Sequence, residues 1–132
     1  MAETVNVYRA IASAKADIAA ADSAIFDVSN AEAVSLIFKA AAISSGNGVF
    51  SVDVGVKAPG ESSITWLTGY AKLITNAANT NAQTPVRVAS ITLSGNGLSM
   101  VTLDPVDAIQ FIRVPLNMTT DGTYDCWIIA RE

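Results

Sequence analysis

The period of the hydrophobic pattern changes near residue 24. Beyond it, apolar and polar residues alternate at every second position, as on a half-buried strand. Val34, Leu36 and Phe38 point one way and Ala33, Ser35 and Lys39 the other, with Ile37 spoiling the polar side. Phe50, Val52, Val54 and Val56 alternate with Ser51, Asp53, Gly55 and Lys57 in the cleanest run. Ile64 and Trp66 alternate with Ser63 and Thr65, which predicts Trp66 in the core. Val86 and Val88 open a strand whose apolar side then moves to Ile91 and Leu93, the mark of a bulge near Ala89-Ser90. Leu98, Met100 and Thr102 carry the next strand, so alternation places Val101 outside. Residues 109–116 and 124–130 complete the set.

Turn chemistry separates these runs at short spacing, the signature of an antiparallel sandwich or barrel. Ser45-Gly46-Asn47-Gly48 and Ser94-Gly95-Asn96-Gly97 are the same tetrapeptide between alternating runs, and Asn-Gly supplies the positive-φ pair of a type I′ hairpin. Ala58-Pro59-Gly60-Glu61 reads as a turn with Pro at its second position and Gly at its third. Thr119-Thr120-Asp121-Gly122 is expected to close the last hairpin. Pro85 starts a strand, and Pro115 marks an edge or a bulge. Residues 76–84, rich in Asn, Ala and Thr, form the one long polar loop. The fold class is therefore all-β, an antiparallel β-sandwich.

Residues 1–23 differ. Eight of the fifteen residues 10–24 are Ala, and Tyr8, Ile11, Lys15 and Ile18 share a helical face. Yet that face carries few large side chains, and Val5, Asn6, Val7 and Tyr8 alternate like a strand. The reading preferred is an N-terminal arm over 1–23, extended or irregular, preceding a sandwich domain over 24–132. With little to bury against its own body, the arm is expected to lie on a neighbouring surface.

Composition removes several functions. The 132 residues contain no His and one Cys, so neither a zinc site nor a Ser-His-Asp or Cys-His pair can be built. A net charge of -4 with eight Lys and Arg in all is a poor match to nucleic acid. A lone thiol excludes a disulfide framework. The start, Met1-Ala2-Glu3-Thr4-Val5, lacks the bases and apolar run of a secretory signal, and Ala40-Ala41-Ala42-Ile43 is too short to span a bilayer. Synthesis and assembly in a cytoplasm, with no membrane partner, are the expectation.

The candidate chemistry is thin. Asp104 with Asp107, and Asp121 with Asp125, offer paired carboxylates, but Asp104-Pro105 and Asp121-Gly122 have the pattern of turns in which Asp caps its own backbone. Calcium would use the same oxygens, though no EF-hand spacing is present. Gly46 and Gly48 precede no Gly-Lys-Ser/Thr and are not a phosphate loop. Cys126 shares a strand face with Tyr124 and Ile128 and reads as a small buried hydrophobe. No catalytic residue, cofactor or metal is expected. Trp66, Tyr70 or Trp127, if exposed, would suit a stacked sugar ring. For Trp127 an interface is preferred: Tyr124, Cys126, Ile128 and Ala130 fill the core and leave Trp127 and Ile129 on the opposite face.

The low charge is the most informative feature. Only 15% of residues are charged against about 25% in ordinary domains, while 51% are hydrophobic. An isolated sheet protein clothes its outer faces and edges with charge. Here Ser, Thr, Asn and Ala fill many outer positions, and Ile37, Leu67, Val101 and Ile129 fall where alternation points outward. A protomer of a larger assembly, a homo-oligomer such as a dimer or trimer, follows. The interface candidates are Val5, Val7, Tyr8, Ile11, Ile18, Trp127 and Ile129.

The run from Ile25-Phe26-Asp27-Val28 through Ala33-Val34-Ser35-Leu36-Ile37-Phe38, then Gly48-Val49-Phe50-Ser51-Val52-Asp53-Val54 and Trp66, resembles small β-sandwich structural proteins of tailed bacteriophages. Ala108-Ile109-Gln110-Phe111-Ile112-Arg113-Val114 followed by Thr119-Thr120-Asp121-Gly122-Thr123-Tyr124 is similar to their last hairpin. The class is the capsid decoration or cement proteins, and the likeness spans residues 24–131 in style and strand order. It implies a jelly roll that stabilises the phage head by binding across major capsid protein subunits, at the capsid surface of the virion. No individual residue role carries over. A carbohydrate-binding β-sandwich module and a phage tail or fibre component are the alternatives.

Overall fold

The structure, a computed structural model, describes residues 4–68, 72–76, 85–104 and 109–132. The strands in chain order are β1 (Val5–Ala14), β2 (Phe26–Asp27), β3 (Ala33–Ala41), β4 (Asn47–Ser51), β5 (Asp53–Val56), β6 (Thr65–Thr68) and β7 (Lys72–Asn76). They continue as β8 (Pro85–Val88), β9 (Ser90–Leu93), β10 (Gly97–Asp104), β11 (Phe111–Arg113), β12 (Leu116–Thr119) and β13 (Thr123–Arg131). One layer is a six-stranded sheet in the order β1-β13-β3-β10-β7-β8. The facing layer holds two smaller sheets, β2-β11-β5-β6 and β12-β4-β9. Every pairing is antiparallel. The fold is an all-β sandwich.

The inner faces meet through the alternating residues. Val34, Leu36, Phe38 and Ala40 of β3 and Tyr124, Cys126, Ile128 and Ala130 of β13 are buried against Phe50, Val52, Val54, Ile112 and Leu116. Phe38 stacks on Phe50 across the layers with centroids 4.6 Å apart, and Phe50 meets Tyr124 edge-on at 5.9 Å. Burial of this many aliphatic and aromatic groups, each contributing about 1.5–3 kcal/mol, is the main force holding the layers together.

The turns depart from expectation. Both Ser-Gly-Asn-Gly segments were expected to close hairpins; neither does. The first leads from β3 in the large sheet to β4 in the facing layer, and the second returns from β9 to β10. Since β3 pairs with β10 and β4 with β9, the two form one long ribbon that bends from layer to layer at these segments. Gly46 and Gly48 are glycine for lack of room and not for positive φ: a Cβ on Gly46 would sit 2.1 Å from the Thr119 carbonyl oxygen, and one on Gly48 2.4 Å from the Tyr124 ring. Thr119-Thr120-Asp121-Gly122 likewise joins β12 to β13 across the layers instead of closing a hairpin. The shift at Ala89-Ser90 is a change of sheet, from β8 to β9. Pro115 separates β11 from β12, so residues 109–116 are not one strand. Ala58-Pro59-Gly60-Glu61 is the expected turn, with Gly60 at φ +88° and the Glu61 amide donating to the Ala58 carbonyl at 3.0 Å. The loop expected over 76–84 lies, beyond Asn76, outside the described residues, as do Tyr70 and Asp107.

One register expectation is corrected. Val101 and Leu103 of β10 point inward and are buried, while Leu98 and Met100 point out. A strand's two faces are exchanged by a one-residue reading error, and this strand is apolar on both. Residues 5–14 of the expected arm are strand β1, paired along β13 from Val5↔Arg131 to Ala14↔Tyr124. The segment is extended, but its partner is its own body: Ile11 is 2% exposed, and Ile18 bridges to Leu116 by backbone bonds of 2.8 and 3.1 Å.

Candidate functional site

The outer face of the six-stranded sheet is where the alternation of β1, β13, β3 and β10 delivers unexpectedly apolar side chains. The register sets them in rows. One row runs Arg9, Trp127, Ile37, Met100 and the next Val7, Ile129, Ser35, Thr102. A third places Asp125 beside Lys39 and Leu98. Val7, Leu98 and Met100 are 61%, 68% and 62% exposed, and Trp127, Ile37 and Ile129 between them are half-buried. Single exposed apolar residues are ordinary; a band crossing four adjacent strands is not.

The band is interrupted by one organised polar group. Arg9 donates to the Asp125 carboxylate, which also accepts from the Ser13 amide at 2.8 Å. Burial pushes the Asp125 carboxyl up, but the Arg9 and Ser13 hydrogen bonds and the charges of Arg9 and Lys39 outweigh it and hold it below the ordinary carboxylate value. The Arg9 guanidinium also lies 5.5 Å from the Trp127 ring centroid, a cation–π contact that fixes the indole against the sheet.

A second cluster lies on the outer side of β5, β6 and β11, and nothing in the alternation singled it out beforehand. Asp53, directly opposite Arg113 in the register, is buried and accepts from its Nε at 3.1 Å. Arg113 in turn stacks 4.0 Å from the centroid of Trp66. Trp66 therefore lies outside the core instead of filling it, with its six-membered ring close above Gly55. The signal that could have found the pair is an Asp at an outward position of the most apolar strand, since such a carboxylate needs a cation opposite.

Asp121 and Asp104 make contacts within the fold. Asp121 does not cap its own turn. Its carboxylate accepts from the amides of Ser44, Ser45 and Gly46 at 2.9–3.4 Å and clamps the crossover between β3 and β4. The Ser44 amide foremost lowers its pKa; desolvation opposes it, and the Gly46 and Ser45 amides add to the lowering. Asp104 ends β10 and pairs with Arg87 at 2.9 Å. Burial pushes the Cys126 thiol up to about 12, leaving it protonated at neutral pH. No group of three His, Cys, Asp or Glu side chains comes together among the described residues, and no pocket opens among them.

The structure places the interface candidates in two groups. Val5, Val7, Trp127 and Ile129 share the outer face. Tyr8 and Ile11 point to the inner side of β1, where Tyr8 meets Phe26 at 5.4 Å, and Ile18 packs against the core. Leu98, Met100 and Ile37 complete the face and were not among the candidates. No family model and no curated protein matches the chain.

Proposed function

We propose that this is a viral structural protein, a decoration or cement protein that stabilises a phage head by docking the outer face of its six-stranded sheet across neighbouring major capsid subunits. The observation that carries the docking is the apolar band from Val7 through Ile129, Trp127 and Ile37 to Met100 and Leu98. The shell as its target rests on the resemblance of residues 24–131 to phage cement proteins. A wide face bearing an apolar band with an aromatic at its centre suits another protein surface better than a small ligand, which calls for concavity. Binding only the expanded shell would stabilise it by mass action, and contact with two subunits at once would slow release.

The test is occupancy on expanded shells of the capsid protein encoded alongside this chain. Leu98→Lys with Met100→Lys charges the exposed end of the band without touching the core. The wild type should saturate the shells, and the double variant, still folded by circular dichroism, should bind at least roughly 30-fold more weakly, the effect of losing about 2 kcal/mol at these two contacts. Equal occupancy by both, or none by the wild type, overturns the docking. Binding to tails but not heads would favour the fibre reading, and glycan-dependent quenching of Trp127 fluorescence the carbohydrate one.

A further inference from the structure

The edge of the large sheet carries a separate message. β1 is its terminal strand, and among the described residues no strand pairs with its far side. The Glu132 amide donates to the Thr4 carbonyl at 2.9 Å, so Thr4 and Glu132 form a hydrogen-bonded pair. In an antiparallel ladder such pairs alternate. Asn6 with Ala130 and Tyr8 with Ile128 are therefore the next two, and Val5, Val7 and Arg9 turn their N–H and C=O groups to the open edge.

Protein edges of this kind are normally blunted by shortness, proline, inward charge or a covering loop. β1 is ten residues long, has no proline, and carries a single charged residue, Arg9, whose guanidinium is turned to Asp125 and Trp127. Its register shifts begin only beyond Arg9, so the stretch from Val5 to Arg9 is regular.

We infer that this edge takes a second copy of the same chain, β1 against β1 in antiparallel fashion about a two-fold axis through Val7. The open-edge residues fix the register. With Val7 opposite the partner's Val7, Val5 faces the partner's Arg9, and Arg9 faces the partner's Val5. All three are hydrogen-bonded pairs, each exchanging two bonds. The alternative that sets Val5 opposite the partner's Val5 yields fewer such pairs. No like charges meet directly across the strands, because each Arg9 lies opposite a valine. Side chains at the axis complete the match: Val7 lies beside Ile129, so Ile129, Val7, the partner's Val7 and the partner's Ile129 form one unbroken apolar row, covering the 61% exposed Val7. Two six-stranded sheets become one of twelve, and their apolar outer bands merge. This pairing needs no shell and stands whether or not the outer face docks on one.

Light scattering and amide hydrogen exchange on the full chain test it. The wild type should have twice the 13.7 kDa chain mass at micromolar concentration. The amides of Val5, Val7 and Arg9 should be protected when concentrated and exchange at least tenfold faster on dilution, while those of Asn6 and Tyr8 stay protected throughout. Val7→Pro removes an open-edge donor that β13 does not use and should leave a folded monomer. A wild-type monomer, a trimer, or a Val7→Pro protein that dimerises as before overturns the inference. Leu98→Lys with Met100→Lys, two strands beyond β13, should leave the dimer intact, so failure of edge pairing and failure of shell docking are read separately.

Discussion

Asp125 shows how one residue on an outer face can be both buried and charged. It is 6% exposed, and its carboxylate depends on Arg9 and the Ser13 amide for the bonds that water would otherwise supply. Its folded pKa is lowered, so the charged form favours folding at pH values above the unfolded-state value of about 4, and that contribution fades as pH falls through the lower folded value. Arg9→Met should therefore cost about 1–3 kcal/mol at pH 6, the usual penalty for stranding a buried acceptor. At pH 3 and below the difference from wild type should shrink toward what the Trp127 contact alone contributes. Urea unfolding of both proteins at the two pH values measures this. Asp27 and Asp121 also have lowered pKa values and titrate in the same range, but they do so in both proteins and cancel in the comparison. An equal deficit at both pH values would show that the guanidinium acts only by packing.

At the scale of elements, identical sequence does not mean identical structure. Gly46 and Gly95 hold the same place in the two Ser-Gly-Asn-Gly segments. A Cβ on Gly46 would collide with the backbone of residues 119 and 121 at 2.1–2.7 Å, whereas nothing lies within 4 Å of one on Gly95. Gly46→Ala should thus cost about 1–3 kcal/mol by overpacking, and would also disturb the amide that Asp121 holds at 2.9 Å. Gly95→Ala should fall within about 0.5 kcal/mol of wild type. Thermal unfolding of the pair separates a packing requirement from a turn preference. The same contrast explains what the sequence made legible. Strand positions follow from period-two alternation and the Pro59-Gly60 turn from its residue types, both local properties. Which strands pair is not local: Asn-Gly supports a tight hairpin in isolation, but burial of Phe50 under Phe38 and Tyr124 carries the chain into the other layer. Strand β10 defeats alternation for a related reason. With Leu98 and Met100 on one side and Val101 and Leu103 on the other, alternation cannot choose, and only the neighbours β3 and β7 decide. The apolar outer face was legible through Trp127, Ile129 and Ile37, while its Leu98 and Met100 end was hidden by that ambiguity.

For the whole molecule, the decisive point is that the N-terminal strand belongs to the fold it borders. An arm could be deleted to ask what it binds; β1 cannot. Removing residues 1–14 would take away the buried Ile11 side chain, whose burial is worth about 2–3 kcal/mol. It would also strip Asp125 of its Arg9 and Ser13 partners, a further loss of about 1–3 kcal/mol. With the β1–β13 ladder lost as well, the deficit reaches into the total stability of an ordinary domain, about 5–15 kcal/mol. The truncated chain should accordingly melt far below the wild type or fail to fold, and it should aggregate, because β13 would become a nine-residue edge with Trp127 and Ile129 beside it. Calorimetry alongside turbidity during heating would register both effects. A truncated protein that melts like the wild type would mean that β1 adds nothing to the core it lines. Loss of shell occupancy after truncation therefore reports unfolding before it reports recognition. Single substitutions such as Val7→Pro, which spare the bonds to β13, are what can distinguish the strand's part in the fold from its part in any assembly.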